Sequence, residues 1–313
     1  MNDFVQFYMV SLTEILKKAH FIILFVAFAA GFSCSKDEII THEQLIVPGN
    51  QKPPYNGIPS ILVENYVTKI YIDLIGQKPT PEEKDTGVKY LLDNKLSDEA
   101  REKLISDVIA VQAYHDRLFQ ISTDLMLNGM GYDEIDDVRT EYEAVKDFYL
   151  QAGDTFFARF IENEVLKLQL VLDAPMDYQN KDISLNEYYS RLSFNLIYDE
   201  INMGSENFVI SCFENLFKRK PTASEDSSGV SMVDGISSTI LRKEGRTKLD
   251  FLNIVTQDPE FYQGRVLDAY STLLLRPPNS EELGNATEKF ITSGDYNQVQ
   301  IDIVKTDEYA GFL

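Results

Sequence analysis

Tyr71-Ile-Asp-Leu74-Ile-Gly-Gln77-Lys-Pro79-Thr80-Pro81-Glu82-Glu83 decides the fold, because the phrase occurs three times in variant form. The second stretch is Phe213-Glu-Asn-Leu216-Phe-Lys-Arg219-Lys-Pro221-Thr222-Ala-Ser-Glu225. The third is Tyr270-Ser-Thr-Leu273-Leu-Leu-Arg276-Pro-Pro278-Asn279-Ser280-Glu281-Glu282. Aligned on the shared proline, each has an aromatic eight residues before it and a leucine five before it. Each also has a capping residue just after the proline and a glutamate four after it. The aromatic and the leucine share one face of a helix. The proline cannot continue that helix, so the chain turns. Thr80, Thr222 or Asn279 then caps a new helix, with Glu83, Glu225 or Glu282 placed to bond back to the cap as a capping box. Pro81 occupies the first helical position, where its missing N–H is no loss.

After each phrase another apolar helix leads to an aromatic: Val108-Ile109 to Tyr114, Ile254-Val255 to Phe261, Ile303-Val304 to Tyr309. Such a unit buries its faces against its neighbours. Between the first and second copies, Glu141 to Leu150 and Thr155 to Leu172 read as helices. Phe156, Phe157, Phe160, Ile161, Val165 and Leu168 form an apolar stripe expected to be core. Ser184 to Asn202 reads as another helix, packed through its tyrosines and leucines. The expected fold class is all-α: three related helix-turn-helix units with a helical insertion.

The first copy, in Asp73-Leu74-Ile75-Gly76 and Pro79-Thr80-Pro81-Glu82-Glu83, resembles the planctomycete-type cytochrome-associated domain. The third, with Arg276-Pro-Pro278, Gly294 and Asp307-Glu308-Tyr309, resembles a small helical domain of unknown function found in bacterial secreted proteins. The matching residues are caps and packing positions, and neither family has an agreed catalytic residue to carry over. The first resemblance implies association with a haem protein, yet the chain lacks a Cys-x-x-Cys-His phrase for covalent haem.

Upstream, Phe21 to Phe32 is a short apolar run after Lys17-Lys18, and it leads to Ser33-Cys34. A membrane span needs about 20 residues. The layout resembles a bacterial lipoprotein signal peptide with a relaxed cleavage box of the Bacteroidota kind. Ser35-Lys36-Asp37-Glu38 resembles the signal for display on the outer face of the outer membrane. Lipidation is expected at Cys34, and Met9 competes with Met1 as the start. Residues Ser35 to about Pro59, with Pro48-Gly49-Asn50 and Lys52-Pro-Pro-Tyr-Asn-Gly-Ile-Pro59, read as a flexible tether. The expected layout is signal peptide 1–33, tether 34–59, first unit 60–127, insertion 128–205, second unit 206–263 and third unit 264–313.

The 313 residues carry a formal net charge of −21. Such a surface repels phosphate backbones, so nucleic acid is excluded as the expected partner. Asp133, Glu134, Asp136 and Asp137, after Asn128-Gly129-Met130-Gly131, are the one candidate metal site, for calcium. The spacing is not that of an EF-hand, and a solvated helix start explains the same residues. Three histidines, His20, His42 and His115, leave one in the folded part, which reads as a surface residue and builds no histidine-rich zinc site. Once Cys34 carries lipid, Cys212 has no disulfide partner and reads as a core thiol. No P-loop, dinucleotide fingerprint or Gly-x-Ser-x-Gly phrase is present. The functional expectation is a non-catalytic interaction or scaffold module of the cell envelope. It is held to the membrane through lipid on Cys34 and engages an envelope protein. The alternatives are an accessory or enzyme for an extracellular polymer, and a subunit associated with a haem protein.

Overall fold

The computed structural model describes residues 57–312; the signal region, Cys34, His20, His42 and most of the tether lie outside them. Among the described residues the chain is all-α, with a single two-stranded hairpin. The first phrase forms α1 (Ser60–Ile75), a turn and α2 (Pro81–Asp93), followed by α3 (Asp98–Ile109) and α4 (Gln112–Met126). Next come α5 (Tyr132–Gln151), α6 (Thr155–Gln179), α7 (Leu185–Ser193) and α8 (Leu196–Ile201). The second phrase spans α9 (Ser205–Phe217) and α10 (Ala223–Val233), followed by β1 (Ser238–Ile240), β2 (Lys243–Gly245) and α11 (Lys248–Thr256). The third joins α12 (Pro259–Leu273) to α13 (Ser280–Ser293), with α14 (Tyr296–Val304) and α15 (Asp307–Ala310) after it.

Each phrase folds as helix, turn and capped helix. The Glu83 carboxylate accepts from the Thr80 N–H at 2.7 Å, and the Thr80 hydroxyl accepts from the Glu83 N–H at 3.3 Å. Thr222 and Glu225 make the same pair at 2.8 and 3.3 Å, and Asn279 and Glu282 at 2.7 and 3.0 Å. The turn is made the same way in all three. The residue three before the proline is left-handed: Gly76 at φ 77°, Lys218 at 61° and Leu275 at 55°. The buried valine twelve before the proline, Val67, Val209 or Val266, belongs to the helix entering the turn. In the first two units it packs against a glycine eight after the proline: a Cβ on Gly87 would lie 3.2 Å from Val67, and one on Gly229 would lie 2.9 Å from Val209.

The aromatic after each unit opens a new helix instead of ending the apolar one. Tyr114 lies in the first turn of α4, Phe261 in that of α12 and Tyr309 in α15. Consequently α12 closes the second unit and opens the third, and the 263/264 boundary expected from sequence falls inside it. The last helices return to the first. The Tyr66 hydroxyl donates to the Val304 carbonyl at 3.0 Å, and the Tyr309 hydroxyl to Asp73 at 2.9 Å. Arg101, 1% exposed, donates to the Lys305 carbonyl at 2.8 Å and to Asp307 at 2.9 Å.

Two local expectations need correction. The helix expected over Ser184 to Asn202 is broken, because Asn195 leaves the helix and caps α8. Its amide donates to the Arg191 and Leu192 carbonyls at 3.0 Å, while its oxygen accepts from the Tyr198 N–H at 3.0 Å. An Asn side chain competes with backbone groups in this way and so favours caps over helix interiors. The β1–β2 hairpin had no counterpart in the sequence reading. Its turn residues Leu241 and Arg242 both have positive φ, and neither is a usual turn residue.

Candidate functional site

α5 and α6 pack on one another as a helical hairpin. At 1.5 Å per residue they are about 30 and 37 Å long. α5 fully buries only Ile135, whereas α6 also buries Leu168, Val171, Leu172 and Ala174 in the common core. Among the described residues the far half of the hairpin is therefore covered mainly by its own two helices. Gly153, at φ 81°, turns the chain, and Asp154 caps α6 by accepting from the Phe157 N–H at 3.0 Å.

Around that turn the surface is apolar. Phe156 is 84% exposed, Phe148 65%, Phe160 55% and Leu150 51%. The rings lean on one another: Tyr149 to Phe157 at 4.5 Å, Phe148 to Tyr149 at 5.4 Å and Phe157 to Phe160 at 5.9 Å between centroids. The stripe expected to be core thus divides. Ile161, Val165 and Leu168 are buried, while Phe156, Phe157 and Phe160 are not. A helix advances about 100° per residue. Positions 157, 161, 165 and 168 follow one face, and 156 and 160 lie off it, where α5 does not reach. The missed signal was position: Phe148-Tyr149-Leu150 and Phe156-Phe157 flank the Gly153-Asp154 turn, where a hairpin end lacks a third layer.

The acidic run lies at the base of this hairpin, in the first turns of α5. The Glu134 carboxylate accepts from the Gly131 N–H at 2.9 Å, and Asp136 pairs with Arg139 at 2.6 Å. Asp133 and Asp137 are exposed. Among the described residues no three His, Cys, Asp or Glu side chains are grouped to hold a metal ion, so the four calcium candidates are not brought together. His115 is a further correction: it is buried, with its ring edge-on to Tyr114 at 5.1 Å and against Tyr178 at 6.0 Å. Burial, opposed by Asp116, lowers its pKa. Tyr114 opens α4 rather than ending α3, which turns His115 inward. Cys212 is fully buried and accepts from the Tyr198 hydroxyl at 3.7 Å. Burial pushes its thiol up to about 12.

Two charged clusters escaped the sequence reading. Arg219 bonds both oxygens of Glu225 at 2.8 Å and both of Glu260 at 2.5 and 2.8 Å. Arg276 bonds Glu282 twice at 2.8 Å and Glu308 at 2.6 and 2.7 Å. Each guanidinium also lies over its phrase's own aromatic, 5.1 Å from Phe213 and 5.6 Å from Tyr270. The arginine hydrogen bonds hold the Glu225 and Glu282 carboxyls down at about 2. Each arginine ties a turn to the capping glutamate and to the start of the helix that closes the unit, α12 or α15. These clusters are structural clamps, and the shared arginine two before the proline was their visible signal.

No helix among the described residues is long and apolar enough to cross a membrane. The chain matches no family model, no curated protein and no solved structure.

Proposed function

We infer that this is a lipid-anchored envelope protein, held at the outer membrane through Cys34, whose folded part is a non-catalytic module presenting the α5–α6 tip to a protein partner. The exposed aromatic tip carries this reading. A group of large apolar side chains at the end of a projecting hairpin marks an interaction surface, and phenylalanine and tyrosine are enriched in the cores of interfaces. The charged residues of the three phrases support a scaffold reading, because they cap helices or clamp turns. Anchorage and docking are separable by experiment. The tagged full chain is cross-linked in native membranes, recovered and read by mass spectrometry, alongside Phe156→Ser/Phe160→Ser and Cys34→Ser. The expected result is a stoichiometric envelope protein with the wild type that is lost with the tip variant, and release of the Cys34 variant from the membrane fraction. Recovery of the same partners with the tip variant removes the docking reading. Retention of the Cys34 variant in the membrane removes the lipid anchor.

A further inference from the structure

Where the hairpin meets the body, α4, the start of α5 and the end of α6 enclose an open cavity of about 570 Å³. That volume lies within the range of small-molecule sites. Leu172, Pro175 and Met176 form an apolar floor, and Phe119 and Tyr132 form an aromatic wall with centroids 5.7 Å apart and planes at 60°. Tyr132 is 52% exposed, yet its hydroxyl donates to the Leu172 carbonyl at 2.7 Å. A ring pinned at its hydroxyl and open on a face is a pre-formed platform.

Among the residues lining the cavity Asp116 is the charged one, and Gln112, Gln120 and Thr123 are neutral. Asp116 lines the cavity, and its Oδ1 accepts from the Gln112 amide at 2.9 Å. Among the described residues no lysine, arginine or histidine lines the cavity. Arg139 is engaged by Asp136 and Glu143, while Arg117 stands outside the lining and reaches its rim through Gln120, to which it donates at 2.8 Å. Tyr132 senses the same field: its pKa is raised by burial and then by Asp173, Asp136 and Asp116.

We propose that this cavity binds an organic cation, an ammonium group on an apolar or aromatic body, with the body on Leu172, Pro175 and Met176 and the charge between Asp116 and the open face of Tyr132, whose ring is backed by the buried Phe119. The Tyr132 face attracts a cation through its quadrupole, more strongly when water is displaced. Asp116, exposed at the rim, supplies the counter-charge. A carboxylate ligand meets repulsion, and a neutral one gains only the floor. The site is independent of the tip and of the lipid anchor.

The test uses the full chain in a non-ionic detergent, titrated by NMR or calorimetry with benzyltrimethylammonium, benzyl alcohol and benzoate. Binding of the cation is expected to be roughly 10-fold tighter than that of the alcohol, about the size of one cation–π contact, with benzoate weakest. Asp116→Asn is expected to narrow that preference about 2-fold, the share an exposed carboxylate supplies, and Tyr132→Leu to weaken the cation about 5-fold. Tyr132→Phe keeps the ring face but not its pin, and is expected to bind the cation between wild type and Tyr132→Leu, which separates loss of the ring from loss of the fold. Equal affinities for the three probes, no saturable binding of the cation, or an unchanged preference in Asp116→Asn overturns the proposal.

Discussion

The first turn unit and the two later ones share a backbone path but hold it by different chemistry. In the first, the left-handed position is Gly76, the next residue is Gln77, and among the described residues Glu83 bonds Thr80 with no arginine beside it. In the others that position is Lys218 or Leu275, followed by Arg219 or Arg276 and a two-glutamate clamp. The second glutamate, just before the aromatic in Glu260-Phe261 and Glu308-Tyr309, is replaced by Ala113 before Tyr114. Arginine and second glutamate are thus absent together. The unit with a glycine needs no clamp, because glycine adopts positive φ freely. The units with lysine and leucine bear a left-handed penalty of about 1–2 kcal/mol and carry a clamp. The groove between the helices differs as well: about 500 Å³ where Tyr71, Glu83 and Asp107 line it, and about 210 Å³ at the corresponding Tyr270, Glu282 and Asp302.

The largest effect is expected where the second unit is tightest. A Cβ on Gly264 would lie 2.1 Å from the Leu216 carbonyl oxygen, so α12 and α9 are in backbone contact. The corresponding position three after the aromatic is Arg117 in the first unit, which leaves no such approach. Gly264→Ala is expected to destabilise by about 3 kcal/mol, read from urea unfolding. Wild-type stability in that variant would mean that the close crossing is dispensable and that the two units are built alike.

The clamps come next. Arg219→Met leaves Glu225 and Glu260 facing one another without their cation. Bidentate bonding raises the expected loss above that of a surface pair, and partial exposure limits it, to about 1–2 kcal/mol. Gln77→Arg alone is expected to change little, because Ala113 offers no second carboxylate. Gln77→Arg with Ala113→Glu is expected to gain stability, which would show that the clamp is portable. No gain in the double variant would place the stabilisation in the surrounding packing instead.

Acid sharpens the same contrast. Glu225 and Glu282 have folded pKa values of about 2, against an ordinary 4.5. Both ionise more readily in the folded chain than in the unfolded one. Their contribution is therefore complete above about pH 4.5 and is lost as pH falls toward 2. Glu83 is also lowered, by the Thr80 hydroxyl and then its N–H, but without an arginine. The melting temperature is expected to fall steeply through that window in the wild type and less steeply in Arg219→Met. Parallel pH curves would mean that the clamp is not what holds Glu225 ionised.

Much of this architecture was legible in residue type. The caps at Thr80, Thr222 and Asn279 were readable because only short polar side chains followed by glutamate do that work. The all-α class followed from them. The left-handed position was not readable, because glycine, lysine and leucine share no property that marks it; only the backbone does. The clamps were half-visible: their arginines stand at a fixed offset from the proline, but Glu260 and Glu308 are distant in sequence. Phe156 and Phe160 were misassigned to the core because periodicity reports a helical face and not what covers it. His115 was misplaced because a helix boundary moved by a few residues.

The smallest effect isolates the turn itself. Leu275 is 86% exposed and left-handed, so its side chain contributes no burial while its Cβ opposes the backbone conformation. Leu275→Gly relieves that opposition and adds unfolded-state entropy, and the first effect is the larger. The expected result is a gain of about 0.5–1 kcal/mol. Lys218→Gly is expected to gain less, because Lys218 pairs with Asp268 at 2.9 Å. Gly76→Ala is expected to lose stability, since its Cβ would also lie 3.0 Å from Arg117 Cδ. A gain in the first, little change in the second and a loss in the third would establish that the clamps hold turns the backbone alone disfavours. A loss in Leu275→Gly would mean that the third turn bears no penalty, and that Arg276 serves the junction with α15 instead.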